Sequence, residues 1–355
     1  MTAQTAYAET TGASPIAEWC RQTEDNLAAI GVGNETWYSL PRSEQYRRLE
    51  LLVGNTHLLA VPEIPGVYAK QEFTNPSGSH YDRASLPTLQ LLETGGYIQP
   101  GDELRDITSG SGGISLALFA KLLGYKARIS LPDELPASRV YPMEYFGAEI
   151  VRTGPGYIQA TSDSQAAEIM SLVRSGEWVL KRTEDRGIKS LFFTHRSTGQ
   201  RVCYVNHSEN VVSVSGHQRL GQEIVAQAPE IPRAVVLAIG NWTTIAGVAP
   251  VIREAWPATE IVGVKPSDDS DQTDFGLVAQ GLNIKFRFKD ESLLDRVVII
   301  SDAEREVMRE RINNGRDTNR QLGNSSLLCL AAAQTIQAAA GGNVITINYD
   351  QAMRY

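Results

Sequence analysis

The chain has 355 residues, 42% of them hydrophobic and 21% charged, and its 41 acidic side chains against 33 Lys and Arg leave a formal charge of −8. That length can bury a substantial core in one large domain or two ordinary ones, and the acidic balance excludes the basic footprint of a nucleic-acid or anionic-membrane binder. Three scattered cysteines (Cys20, Cys203, Cys329) give neither a disulfide framework nor a CxxC metal site, and no apolar run approaches the ~20 residues of a bilayer span. The expectation is a soluble, cytoplasmic α/β protein with no metal.

Residues 1–15 are rich in Thr and Ala, carry an acid but no base, and predict a flexible tail rather than a secretory signal. Ile16, Trp19, Cys20, Leu27 and Ile30 recur near a helical period, so 16–30 predicts a helix inside an N-terminal extension running to residue 52. Beyond it, short apolar runs alternate with helix-like segments. Strands are expected at Leu58–Val61, Ala127–Leu131, Ala234–Ile239, Glu260–Val264, Arg296–Ile300 and Asn343–Ile347. Helices are expected at Ile114–Leu123, Pro142–Phe146, Ser164–Val173, His217–Ala228, Ile245–Ala255, Ala303–Arg311 and Ser326–Ala339. This alternation favours parallel strands with crossover helices on both faces of a sheet. The charged stretch 175–201, with Phe192-Phe193-Thr194 flanked by Gly187 and Gly199, predicts an inserted hairpin or flap.

Three segments carry possible chemistry. Thr108-Ser109-Gly110-Ser111-Gly112-Gly113 follows Leu104-Arg105-Asp106, a strand end, and opens an apolar helix. Backbone N–H groups at such a helix start suit a carboxylate or phosphate, and a connection that binds nothing stands beside that reading at even weight. Gly240-Asn241-Trp242-Thr243-Thr244 repeats the strand-to-helix pattern with Thr243 and Thr244 as extra donors, but bulky Trp242 favours simple space filling. Asn75-Pro76-Ser77-Gly78-Ser79-His80-Tyr81-Asp82-Arg83 runs from a turn into a helix, with His80 and Tyr81 able to transfer protons. Neither the five histidines nor the acids are spaced for a metal, and no nucleophile elbow occurs.

In chain order these segments resemble the fold-type II pyridoxal-phosphate enzymes, in the cysteine synthase and cystathionine β-synthase branch. The resemblance starts at Val53-Gly54-Asn55-Thr56-His57-Leu58 and passes through Asn75–Ser79, Gly96–Asp102 and the Thr108–Gly113 loop. It continues at Phe146–Val151, Asn206–Asn210, Gly221–Ile224, Ser301–Glu304 and Gly323–Ser326. It implies an α/β fold of two domains like the tryptophan synthase β chain, each a mostly parallel sheet flanked by helices, with the active site between them. Residues 53–73 plus 211–355 would form the large domain and 74–210 the small mobile one. A homodimer is implied, with the N-terminal extension packing on the mate.

The resemblance also assigns roles. The Schiff-base lysine of Asn-Pro-x-Gly-Ser-x-Lys-Asp-Arg falls on Tyr81, and a phenol forms no imine, so pyridoxal phosphate would not be covalently held there. Thr108, Ser109, Gly110, Ser111 and Gly112 occupy the carboxylate loop, with Ser111 and Gly112 replacing the family's Asn and Thr. Gly240, Asn241, Thr243 and Thr244 occupy the phosphate loop, and Ser325 or Ser326 faces the pyridine nitrogen. His207 replaces a substrate-contacting Gln. Lys70, Lys121 and Lys265 are the amines left to weigh as substitutes. The resulting expectation is an enzyme repurposed for small amino-acid chemistry of lyase or transferase type, with Tyr81, His80 and His207 as catalytic groups. A noncovalent pyridoxal-phosphate enzyme for β-elimination or β-replacement, and a non-catalytic binding or partner subunit, stand as the alternatives.

Overall fold

The computed structural model describes residues 14–108, 110–133, 135–154, 157–183, 187–267 and 286–354. Most of the expected tail and Ser109 lie outside these residues. The chain opens with helices α1 (Pro15–Ala29) and α2 (Arg42–Leu52), strands β1 (Leu58–Ala60) and β2 (Val67–Gln71), and helix α3 (Asp82–Thr94). Then follow β3 (Glu103–Ile107), α4 (Ser111–Leu123), β4 (Lys126–Leu131), α5 (Ala137–Tyr145), β5 (Glu149–Arg152) and α6 (Tyr157–Ser175). Strands β6 (Trp178–Thr183), β7 (Ser190–His195) and β8 (Arg201–Tyr204) lead to α7 (Val211–Gln227), β9 (Ala234–Ala238) and α8 (Thr243–Ala255). The chain closes with β10 (Glu260–Pro266), β11 (Arg296–Ile300), α9 (Asp302–Asn313), α10 (Asn324–Ala340) and β12 (Val344–Asn348). Local sequence sets several of these ends. Ser14, placed in the expected tail, instead caps α1 by accepting from the Ala17 N–H with Pro15 in the first turn. Ser301 and Glu304 form a capping box on α9.

Two compact units result, the first made of the residues up to Val53 with Ala84–Val212, the second of Gly54–Arg83 with Ser213 onward. This differs from the expected division, which gave 74–83 to the small domain and set the extension apart. Residues 74–83 go with the second unit because Arg83 is held there by Glu72 and Glu223.

In the first unit the sheet runs β5-β4-β3-β8-β7-β6. Its β5-β4-β3-β8 portion is parallel, and β7 and β6 extend it antiparallel, so the expected insertion is a hairpin built into the sheet. Helix α4 is buried on almost every side, as its largely apolar sequence requires. The N-terminal extension packs on this unit: buried Trp37 donates its indole N–H to the Leu122 carbonyl at 2.6 Å, and Arg42 grips Glu93 at 2.6 and 2.7 Å.

The second unit's sheet runs β1-β2-β12-β9-β10-β11, with all pairs parallel except β1 with β2. Strands β9 and β12 are buried at every position, so β9 reads as an unbroken apolar run and β12 as one interrupted by buried Thr346 and ended by Asn348. A network of charges underlies this sheet. Arg83 pairs with Glu72 (2.7 Å) and Glu223 (2.7 Å), Glu223 pairs with Lys70 (2.7 Å), and Thr56 and Asn75 donate to the Glu72 carboxylate. Two cations and two anions thus balance in the interior, each with hydrogen-bond partners.

Candidate functional site

In the first unit, two parallel neighbours, β3 and β8, carry the candidate groups just past their C-terminal ends, the position at which α/β sheets bind ligands. After β3 the chain turns through Thr108 into α4. The Thr108 hydroxyl oxygen accepts the N–H groups of Gly110 (3.0 Å) and Gly113 (3.2 Å), closing the loop on itself. A Cβ at Gly113 would lie 2.6 Å from Thr108 Cγ2, so this packing needs glycine. Ser111 and Gly112 form the first turn of α4, the expected place for an anion.

After β8, Asn206 takes a left-handed conformation (φ 56°) that brings His207 back to β3. Its ring Nδ1 lies 2.9 Å from Asp106 Oδ2, and its backbone N–H donates to the same oxygen at 3.2 Å. Burial alone would lower the imidazole pKa, but the charge and hydrogen bond of Asp106 outweigh it and raise the pKa above the ordinary value. The carboxylate also fixes the Nδ1–H tautomer, so Nε2 carries the lone pair in the neutral ring. Asp106 was missed by sequence reasoning; it stands 101 residues from its partner, and its only signal is an acid closing a strand before a Gly-rich turn.

In the second unit, the turn Asn75–Arg83 is fastened from several sides. Ser77 donates its backbone N–H to Asp82 Oδ2 (2.7 Å) and its hydroxyl to Asp82 Oδ1, and the Gly54 N–H donates to Asn75 Oδ1 (2.8 Å). The turn delivers His80 and Tyr81, both half-buried, to the start of α3. The His80 ring centroid is 4.3 Å from that of Tyr81, 5.5 Å from that of His217, and 4.9 Å from the edge-on ring of Tyr349. His217 is not among the candidates read from the sequence, where it is one more position of a helix; it is fully buried on α7. It donates from Nδ1 to the Ser213 carbonyl (2.8 Å), while Nε2 has no hydrogen-bond partner among the described residues. Burial lowers its pKa to about 4, so this imidazole stays neutral. Gly216 beside it is required, since a Cβ there would fall 1.8 Å from the Arg83 carbonyl oxygen.

The other expected groups lie elsewhere, all but Lys121 within the second unit. Trp242 takes φ 69° and sits in the core, so it fills space; Asn241 Oδ1 accepts the Thr243 N–H (3.2 Å) and hydroxyl (2.8 Å) at the start of α8. Gly240 precedes this turn, and Thr244 is buried within the first turn of the helix. Ser326 is buried and accepts the Tyr349 N–H at 2.8 Å, whereas Ser325 is half-buried. Lys70 is fully buried, pairs with Glu223 and donates to the Thr56 carbonyl and to Gln227 (3.3 Å). Lys121, in the first unit, pairs with Glu24. Lys265 is half-buried on β10.

A family model described as "Pyridoxal-phosphate dependent enzyme" matches residues 49–347. Cysteine synthase B of Salmonella typhimurium is 27% identical over 314 residues, covering 86% of this chain and 93% of the relative. The O-acetylserine dependent cystathionine beta-synthase of Bacillus subtilis is 27% identical over 317 residues, 86% of this chain and 94% of its own. Among solved structures, O-ureido-L-serine synthase superposes with a TM-score of 0.70 at 22% identity, covering 86% of this chain and 92% of that one. A hydrogen sulfide-producing enzyme from Fusobacterium nucleatum also gives 0.70, at 20% identity, over 86% and 98% of the two chains. At these identities the structural likeness speaks for the fold. Among the described residues no helix is long and apolar enough to cross a membrane.

Proposed function

Since this chain belongs to the pyridoxal-phosphate dependent enzyme family, we propose that it is a cysteine synthase-like enzyme acting on a small amino-acid-like substrate, of lyase or transferase type, without a lysine-linked cofactor. The observation that carries this reading is the turn Asn75–Arg83. It presents a phenol, Tyr81, where the resemblance puts the Schiff-base lysine, while Lys70, the amine nearest in sequence, is enclosed and held by Glu223, Thr56 and Gln227. An imine needs an accessible primary amine, and on this reading the residues present do not fit a lysine-linked pyridoxal phosphate. Asn241 supports the same reading, because its side chain takes an amide that a phosphate would use at the start of α8.

The chain's own groups then do the work. His207 holds a proton to a higher pH than an ordinary imidazole and exchanges it at Nε2, with Asp106 fixing the ring. Thr108 has both lone pairs engaged by Gly110 and Gly113, so its hydroxyl is left with a proton to donate, which suits a substrate carboxylate. Tyr81 supplies a phenolic donor whose ring is steadied by His80.

The test begins with an absorption spectrum and mass spectrometry before and after borohydride. The expected protein is colourless and gains no pyridoxyl mass. A reduced pyridoxyl–lysine adduct would overturn the reading, and cofactor released by acid without any adduct would transfer the assignment to the noncovalent alternative. Turnover is then screened on β-substituted alanines, starting with O-acetyl-L-serine, the compound in the name of the Bacillus subtilis relative. Tyr81→Phe and His207→Ala should each cost about 100-fold in kcat, the usual contribution of a general acid or base; unchanged turnover in both removes their assignment.

A further inference from the structure

A cavity of about 440 Å³ lies in the first unit, on the β6–β7–β8 face opposite α6. The strand pleat decides which side chains reach it. Leu180, Phe193 and Val202 lie across from one another and pack toward Ile169 and Leu172 of α6. Their neighbours Lys181 and Phe192, and Val179, Thr194 and Arg201, point to the other face, where they meet the loop carrying Tyr97 and the start of β3 at Asp102.

We propose that this cavity binds a small organic anion with a flat apolar body, of the aromatic carboxylate class. Its wall is a stacked pair, Tyr97 and Phe192, with ring centroids 5.2 Å apart and planes 24° from parallel. Such a pair offers a rigid surface on which a third ring can lie. The ammonium of Lys181 sits 5.7 Å from the Tyr97 ring centroid and makes no ion pair among the described residues. Arg201 is held by Asp102 at 3.3 Å and donates to the Tyr97 carbonyl. Burial raises the Asp102 pKa, only partly opposed by the Gln99 N–H and Arg201, and this single carboxyl offsets at most one of the two cations. The site is therefore net positive above an aromatic wall, with the volume of an ordinary small-molecule pocket. A carboxylate meets Lys181, and the ring it carries rests against Tyr97 and Phe192.

The hairpin that builds this cavity is an addition to the sheet, since β8 already pairs with β3 and completes the parallel part. The cavity lies toward the N-terminal ends of β3 and β8, and Asp106 and His207 lie toward or beyond their C-terminal ends. Occupation of this cavity is thus independent of the proposed chemistry and is read by binding alone.

The probe is 2-naphthoate, titrated into the full chain by calorimetry, with uncharged 2-naphthylmethanol as the comparison. Naphthoate should saturate one site and bind about 10-fold more tightly than the alcohol, the difference expected of one charge-assisted contact. Lys181→Met should remove most of that difference, and Thr194→Trp, at an exposed position, should block both ligands by filling the cavity. Circular dichroism confirms that each variant is folded. Equal affinity for acid and alcohol, naphthoate binding undiminished in both variants, or no saturable binding at millimolar ligand would each overturn the proposal.

Discussion

His207 and His217 are pulled in opposite directions, and their titrations should oppose each other. Asp106 raises the His207 pKa against the cost of burial, so the protonated ring stabilises the fold at acidic pH, and that contribution is lost as pH rises through the folded-state value. Asp106→Asn should move the His207 midpoint downward in an NMR titration of the ring protons; an unmoved midpoint would show that another charge holds the proton. His217 behaves the other way. Its pKa falls from 6.5 to about 4, so between those values the unfolded chain binds a proton that the folded one refuses, and stability declines as pH drops. The full loss is about 3 kcal/mol. His217→Phe, which keeps a ring in the same space, should flatten this acid limb in urea melts at pH 4 to 7; an identical limb would place the cost on other groups.

At the scale of elements, the Thr108–Gly113 turn shows how little freedom a strand-to-helix loop retains once it caps its own helix. Gly113→Ala would press a methyl to 2.6 Å from Thr108 Cγ2 and 3.0 Å from Met143 Sδ, and Thr108 cannot yield without breaking its bonds to Gly110 and Gly113. The expected loss is about 1–3 kcal/mol in chemical denaturation; wild-type stability would mean that the turn relaxes. The same elements explain what was readable in advance. The strands expected at 127–131, 234–239, 260–264, 296–300 and 343–347 all form within a residue or two, the inner ones as buried apolar runs and β11, at the sheet edge, by an apolar run that is mostly exposed. Strand β2 gives no such run, since Lys70 interrupts it and is made tolerable only by Glu223 on a distant helix. Strand β5 is four residues long and partly exposed, and α2 is mostly polar, so neither carried a period. Among the candidate groups, Thr108, Gly110, His80 and Tyr81 were picked out by local pattern and His207 by the family resemblance alone. Asp106 and His217 were not, because their roles come from a strand pairing and a helix crossing that join distant residues.

Across the whole molecule, the buried charges of the second unit join its two chain segments, 54–83 and 213 onward, through Arg83, Glu72, Glu223 and Lys70. Glu72→Gln removes one anion and leaves Arg83 with Glu223 alone. A loss of about 3–5 kcal/mol is expected, as for one partner taken from an interior pair; equilibrium unfolding with a change under about 1 kcal/mol would show that water or rearrangement makes good the charge. The placement of β12 has a different consequence. It is the final strand in chain order, yet it lies in the middle of its sheet, between β2 and β9. A ribosome making this protein would release the β1–β2 ribbon early and the β9–β10–β11 layer much later, and neither could zip to the other before residues 344–348 emerged. Until then two raw edges stand open to wrong partners. The nascent chain is therefore exposed to misassembly for as long as residues 344–348 have yet to emerge, and truncation ahead of Val344 would strand both edges.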